Sequence, residues 1–265
     1  MDGILIQDVF VEKAHAAKRP FSAVLLSGKG FNGYPFKRSL VTPFRKVWEI
    51  LAVAVANEGL GYATFGHRIR GTVKEGRLRR IEEVLNCLAH PDWASARRWP
   101  DWTGELRYIL AGRGNNIPVE VECDIYVEAR RTDNKRYAFE LKAPLPNSDI
   151  TRVSKAKIFK LYSMEPPQID GAYFALPYNP YGRKEAYAWS FPARWFDMRE
   201  DPVVLIGDEF WEKIGGPGTC RAFIDAVNEL GEECKQHIYS EYLGIEPPET
   251  LIAHRGLNFP DGSSV

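Results

Sequence analysis

The chain has 265 residues, of which 45% are hydrophobic and 26% charged, as is ordinary for a globular protein. Its 35 basic and 35 acidic residues balance to zero net charge, which excludes a protein held to nucleic acid by bulk charge but allows a local basic surface beside an acidic metal site. We expect a cytoplasmic protein without membrane spans, because no apolar run approaches the roughly 20 residues that cross a bilayer, no secretory signal is evident, and the four cysteines are scattered.

Two helices are predicted in the first part of the chain. Thr42 and Pro43 suit the N-cap and first helical position of a helix that ends near Gly59. A second helix is predicted from Glu75 to Ala89, ended by His90 and Pro91. The basic run HRIRGTVKEGRLRR, residues 67–80, leads into it. This run is explained equally well by a solvated loop and helix start or by contact with a polyanion.

A β-hairpin is predicted near the middle of the chain. The segment VEVECDIYVEA, residues 119–129, alternates apolar with polar residues, and RRTDNK provides a turn before the second strand, RYAFELKA. The alternation puts one set of side chains on the core face: Val119, Val121, Cys123, Ile125 and Val127. It puts the other set on the opposite face: Glu120, Glu122, Asp124 and Tyr126.

The remaining elements follow the hairpin. We predict a helix from about Ile150 to Met164, a strand GAYFALPY that pairs in parallel through that helical crossover, a strand PVVLIG, a short helix DEFWEKIG, a C-terminal helix at about 218–243 and a loose tail at 245–265. Together these elements indicate one α/β domain, residues 1–265, with its core at about 40–210 and extra peripheral helices.

The hairpin also carries the most specific chemical pattern. Period-two geometry places Glu140 and Lys142 together, opposite Phe139 and Leu141, and the hairpin register brings Asp124 toward Glu140. Two such carboxylates are hard oxygen ligands for Mg²⁺, and the Lys142 ammonium would position the attacking water and stabilise the phosphoryl transition state. A solvated E-x-K on a surface strand is the plain alternative, but the order hairpin, helix, strand is that of the PD-(D/E)xK nuclease core.

Glu49 lies in an almost wholly apolar helix and therefore needs a partner. It either belongs to the metal site, as a shell or water-orienting carboxylate, or pairs with Arg45 one turn earlier.

Phosphate contacts are expected from the helix after the hairpin, where an ordinary solvated basic face is the alternative. Its predicted apolar side holds Ile150, Val153, Ile158, Leu161 and Met164. The candidate DNA-binding residues are Asn147, Ser148, Asp149, Thr151, Arg152, Lys155, Lys157, Lys160 and, after the next strand, Arg183. Two Cys-x-x-His pairs, Cys87 with His90 and Cys234 with His237, fit buried helical cysteines better than a zinc site.

Several runs resemble one known family. RSLVTPFRKVWE, ECDIYVE, YAFELKAPLPNSDITRVSKAKIFKLYSM, YNPYGRKEAYAWSFPARWFDM and IGDEFWEKIGG are similar to the TdeIII/MjaII family of type II restriction endonucleases, over residues 36–243. The resemblance implies Mg²⁺-dependent cleavage of double-stranded DNA at GGNCC-like sites and a separate methyltransferase that protects host DNA. Asp124, Glu140 and Lys142 then match the catalytic triplet and Glu49 the helix glutamate, although Cys123 replaces the motif's proline.

These observations lead us to expect a homodimeric type II restriction endonuclease, since a palindromic site is met by two-fold symmetry in the protein. Two alternatives stay open: a repair or junction nuclease on the same core, and a DNA-binding module whose carboxylates are structural.

Overall fold

The computed structural model of the chain describes residues 34–89 and 99–226, with side chains from residue 47 onward. The named helices are α1 (Tyr34–Gly59), α2 (Glu75–Ala89), α3 (Trp102–Leu110), α4 (Ser148–Tyr162) and α5 (Asp208–Gly215). The strands are β1 (Tyr62–Lys74), β2 (Asn116–Glu128), β3 (Arg136–Leu141), β4 (Gly171–Leu176) and β5 (Val204–Ile206). Two 3₁₀ turns, Lys184–Ala186 and Pro192–Arg194, lie between β4 and β5.

The five strands form one mixed sheet in the order β1-β2-β3-β4-β5. The first three strands are antiparallel, and β3, β4 and β5 are parallel. Helix α4 is the crossover between β3 and β4, as parallel pairing requires. This arrangement confirms the expected α/β class, with a mixed central sheet flanked by helices and consistent with a restriction-endonuclease-like core.

Each face of the sheet has its own hydrophobic core. The first core packs α2, α3 and α4 on one face, with Ile158 and Phe159 fully buried. The second core packs α1 and α5 on the other face, with Phe139 and Trp211 fully buried. Because helices cover both faces, the whole of β3 after its first residue is buried.

The antiparallel β1–β2 pair bends in the middle, and the bend changes which face of the sheet the β2 side chains occupy. Cys123 belongs to the first core, whereas Ile125 belongs to the second, so the regular alternation predicted for residues 119–127 is wrong past Asp124. The bend lies opposite Gly66, whose φ of +62° is accessible to glycine but strained for most other residues. It allows this one long strand pair to contribute to both cores.

Other elements differ from expectation at their ends or in type. Helix α1 already begins at Tyr34, so Pro43 lies within it and Thr42 is not its N-cap. Residues 67–74, expected as a loop and helix start, form the second half of β1. Of the expected C-terminal helix, residues 219–226 are helical, and the rest of it and the tail lie outside the described residues. Within the described ranges, no helix combines the length and apolar character needed to cross a bilayer.

Candidate active site

The site lies where two neighbouring strands of the sheet separate. Pairing between β2 and β3 runs from Glu128↔Arg136 to Ile125↔Phe139 and then stops, because β2 bends away. At this fork the Asp124 carboxylate replaces the lost backbone partner: its Oδ2 accepts a hydrogen bond from the Leu141 N–H at 2.8 Å. Asp124 is thereby fixed against the C-terminal end of β3.

Three oxygen atoms surround the Lys142 ammonium at the fork. Its Nζ lies 2.5 Å from Asp124 Oδ2, 3.2 Å from Glu140 Oε2 and 3.1 Å from the carbonyl oxygen of Leu141. The convergence of Asp124 and Glu140 predicted from the hairpin register is therefore confirmed. The two carboxylates meet around one positive charge.

The electrostatic state of the site depends on burial. Glu140 is only 2% exposed, and burial raises the pKa of its carboxyl, an effect opposed by the Lys142 ammonium and increased by the Asp124 carboxylate. The side chain of Lys142 is 12% exposed and that of Asp124 20%. Because Lys142 and the two carboxylates are largely shielded from water, their ion pairs are stronger than those between exposed side chains.

The donor set suits a hard divalent cation. Asp124, Glu140 and the Leu141 carbonyl already place three oxygens around the Lys142 ammonium, and carboxylate and carbonyl oxygens are the ligands that Mg²⁺ takes, with water and phosphate oxygens completing its shell. Within residues 34–89 and 99–226, no group of three or more His, Cys, Asp and Glu side chains is arranged to hold a metal. Glu49 is partly exposed on α1, and its place in the metal site stays a prediction, while the Arg45 side chain of the alternative ion pair lies outside the described part.

The expected DNA-binding residues differ in accessibility. Asn147 and Asp149 are exposed beside the site, as is Arg183 after β4; Ser148, Arg152, Lys157 and Lys160 are partly exposed. Asn147 caps α4 by accepting a hydrogen bond from the Ile150 N–H at 2.9 Å. Thr151 is fully buried with its hydroxyl donating to the Asn147 carbonyl, which leaves it no free group for a phosphate.

Lys155 has a structural position that the sequence did not predict. It is fully buried, and its ammonium donates to Glu105 Oε2 at 2.6 Å and to the carbonyl oxygen of Trp195. Burial lowers the pKa of Lys155, and Glu105 opposes that shift. The expectation that Lys155 contacts DNA is wrong for this structure, because α3 and the Pro192–Arg194 turn cover the side of α4 from which it projects.

The prediction of which residues form the apolar side of α4 is partly wrong. Ile158, Leu161 and Met164 are buried, but Ile150 is 43% exposed and Val153 56% exposed. The buried face is rotated because Lys155 finds ion-pair and carbonyl partners in the interior, so a charged residue occupies a core position.

The basic run at residues 67–80 is largely matched by acidic partners. Arg68 pairs with Glu120 and Glu122 across the β1–β2 pair, and Arg70 with Glu120. Other pairs in the run involve Lys74, Arg77 and Arg79, whose partners are Glu165, Glu165 and Glu83. Its positive charge is thus locally compensated. Cys87 is exposed, so the burial favoured for it is wrong, and the other members of the two Cys-x-x-His pairs, His90, Cys234 and His237, lie outside the described residues.

A set of aromatic donors near the site escaped the sequence analysis. Tyr187 Oη donates to the Pro144 carbonyl, Trp189 Nε1 to the Pro146 carbonyl and Trp195 Nε1 to Ser148 Oγ, each at 2.9 Å. These bonds hold the linker from β3 to α4, which lies outside the sheet ladder. The available signal was the proline-rich linker itself, whose carbonyls need donors from elsewhere.

A family model described as "Type II restriction endonuclease, HinfI" matches residues 1–231. The type II restriction enzyme HgiCII of Herpetosiphon aurantiacus is 26% identical over 220 residues, covering 80% of this chain and 77% of the relative. The type II restriction enzyme HgiEI of the same organism is 24% identical over 223 residues with the same coverage. No solved structure is significantly similar. The expected enzyme class is matched, whereas the TdeIII/MjaII family is not confirmed.

Proposed function

Since the chain belongs to the HinfI family of type II restriction endonucleases, we propose that it hydrolyses phosphodiester bonds of double-stranded DNA at a short palindromic site, with Mg²⁺ as cofactor. The observation that carries the proposal is the convergence of Asp124 and Glu140 on the Lys142 ammonium at the fork between β2 and β3. A restriction enzyme needs such a site, where acidic oxygens and a cation meet beside a phosphate.

Each residue of the fork has a chemical role in this proposal. Asp124, Glu140 and the Leu141 carbonyl would hold the metal, which, when bound, lowers the pKa of water and stabilises charge on the phosphate. Lys142 orients the attacking water and donates to the phosphoryl oxygens as negative charge develops on them. Divalent metals are general cofactors of type II restriction endonucleases, which supports this assignment.

Several finer features are part of the same proposal. A GGNCC-like recognition site is what the TdeIII/MjaII resemblance implies. A homodimer is proposed because two active sites related by two-fold symmetry cut both strands of a palindrome. A separate methyltransferase would modify the same site in host DNA. Contacts to phosphates are proposed for the accessible Asn147 and Arg183 and for the partly exposed Ser148, Arg152 and Lys160, with Asp149 at the helix start.

The test is digestion of unmethylated phage DNA with purified protein in Mg²⁺, followed by mapping of the fragment ends. A discrete ladder with ends at one short sequence is expected, and chelation of the metal should prevent cutting. Structure-dependent nicking would instead indicate a repair or junction nuclease. DNA binding without any turnover, in folded protein with Mg²⁺, would indicate a binding module and contradict the proposal.

A variant purified in the same way controls for contaminating nuclease in this test. Lys142→Ala, purified in the same way, should cut at least about 100-fold more slowly, because one preorganised donor to the transition state is lost. Its binding to DNA should persist. Loss of both cutting and binding would argue against a catalytic role for Lys142.

A further inference from the structure

A second lysine reaches the fork from the neighbouring helix. Lys157 projects from α4, and its Nζ lies 2.9 Å from Glu140 Oε1 and 2.7 Å from the backbone carbonyl of Glu122. Its side chain is 30% exposed. Both distances lie in the range of hydrogen bonds, and the contact with Glu140 joins opposite charges.

The two lysines divide the Glu140 carboxylate between them. Lys157 binds Oε1, whereas Lys142 binds Oε2. A buried carboxylate with both oxygens held by separate donors has one orientation, so Oε2 is directed toward Asp124. Glu140 is 2% exposed, which leaves water little scope to replace either donor.

Lys157 also connects the strands at the point where they separate. Glu122 lies on β2, two residues before Asp124, in the part of the strand that no longer pairs with β3. The Lys157 ammonium therefore joins a β2 carbonyl to a β3 carboxylate across the fork. This contact sets the distance between the two strands that carry the site.

On this basis we propose that Lys157 is a positioning residue of the active site, which holds Glu140 so that Oε2 and the Asp124 carboxylate face one cation. The inference rests on the proposed function, because it assigns the Asp124–Glu140 pair to a metal. It replaces the expectation that Lys157 contacts a DNA phosphate directly. Residues that orient a metal ligand in this way typically affect metal affinity about 10- to 100-fold.

Removal of Lys157 has two opposing effects on metal binding. Loss of the donor to Oε1 frees the Glu140 carboxylate to rotate and weakens binding. Loss of a nearby positive charge relieves repulsion and strengthens it. The proposal states that the first effect is larger, since Lys157 faces the oxygen turned away from Asp124.

The experiment compares Lys157→Met, Lys157→Arg and Lys160→Met with the unaltered protein. Lys160 is the matched control for metal affinity alone, because it lies on α4 one turn further on and forms no ion pair with Glu140 in the described part of the chain; as a proposed phosphate contact it is expected to lower DNA affinity. Mn²⁺ binding to DNA-free protein is measured by calorimetry, the Mg²⁺ dependence of cleavage by gel assay, and DNA affinity in chelator by fluorescence anisotropy.

Lys157→Met is expected to weaken Mn²⁺ binding about 10- to 100-fold and to raise the Mg²⁺ concentration for half-maximal cleavage similarly. DNA affinity in chelator should stay within about twofold, Lys157→Arg should recover part of the loss, and Lys160→Met should leave metal binding unchanged. If Lys157→Met does not fold, Lys157→Gln, which keeps a donor to the Glu122 carbonyl, takes its place.

Other outcomes overturn the inference. Weaker DNA binding with unchanged Mn²⁺ affinity would assign Lys157 to a phosphate, and tighter Mn²⁺ binding would show that repulsion dominates. Absence of Mn²⁺ binding in the unaltered protein would also refute it. If the unaltered protein binds Mn²⁺ but cuts no DNA, the proposed function fails, whereas a loss of Mn²⁺ affinity in Lys157→Met would still support the positioning role.

Discussion

The buried pair between Lys155 and Glu105 gives a sharp test of the distinction between structural and DNA-contacting lysines. Lys155 is 0% exposed and Glu105 is 1% exposed, with their charged atoms 2.6 Å apart. Lys155→Met would leave the Glu105 carboxylate buried without its cation. Its second oxygen, Oε1, already lacks a hydrogen-bond partner among the described residues.

The expected cost is therefore that of an uncompensated buried charge, about 3–5 kcal/mol of unfolding free energy. This is a large part of the roughly 5–15 kcal/mol that stabilises a typical protein. Glu105→Leu should cost a similar amount by isolating the Lys155 ammonium. The double variant should lose much less than the sum of the two, because both charges are removed together.

The assay is urea unfolding followed by tryptophan fluorescence for the unaltered protein, both single variants, the double variant and Lys160→Met as control. DNA binding of the folded variants is measured against salt concentration in parallel. A residue that contacts a phosphate changes the slope of log K against log salt by about 0.9, and Lys155→Met should leave that slope unchanged. A stability loss below about 1 kcal/mol together with a smaller slope would refute the structural role.

Three further changes are expected to have measurable effects. Burial raises the pKa of Asp201 to about 6 from a usual value of 3.8, so ionisation of this carboxyl destabilises the folded state as the pH rises from about 4 to 6. Asp201→Asn should therefore be more stable than the unaltered protein by about 1–2 kcal/mol above pH 7. Urea unfolding at pH 7 and near pH 4 measures this difference, which should disappear at the lower pH. Gly66→Ala should lose about 1 kcal/mol through left-handed strain alone, since a Cβ there meets nothing within 4 Å. Gly66→Asn should lose less stability than Gly66→Ala. Equal losses of stability for the two variants in thermal unfolding would argue against the bend. Tyr187→Phe should cost about 1–2 kcal/mol, because the Pro144 carbonyl loses its donor, and an unchanged unfolding free energy would contradict that contact.

The sequence predicted those parts of the molecule whose local pattern agrees with their environment. Helix α2 has the predicted bounds Glu75–Ala89, and α5 coincides with DEFWEKIG. The hairpin, the parallel crossover and the meeting of Asp124 with Glu140 also followed from alternation and turn residues. In α2 and α5 one face of the helix meets a core, so period and burial coincide.

The missed features depend on contacts between distant segments. Strand β1 was missed because its arginines and its glycines at 66 and 71 obscure the period of two, although Ile69 and Val73 are buried. The burial of Lys155 could not be inferred from α4 alone, since its partner Glu105 lies 50 residues away. The change of face at the bend depends on the backbone at Gly66, which side-chain patterns do not record.

The hydrogen bond from the Leu141 amide to Asp124 affects how an inactive form of the enzyme should be prepared. Replacing Asp124 by alanine would deprive a main-chain N–H of its acceptor and disturb the strand that carries Glu140, so lost cutting could reflect a displaced backbone. The Lys142 side chain supports no backbone amide in this way. Protein altered at Lys142 is therefore the better choice for capturing an intact DNA complex in crystals.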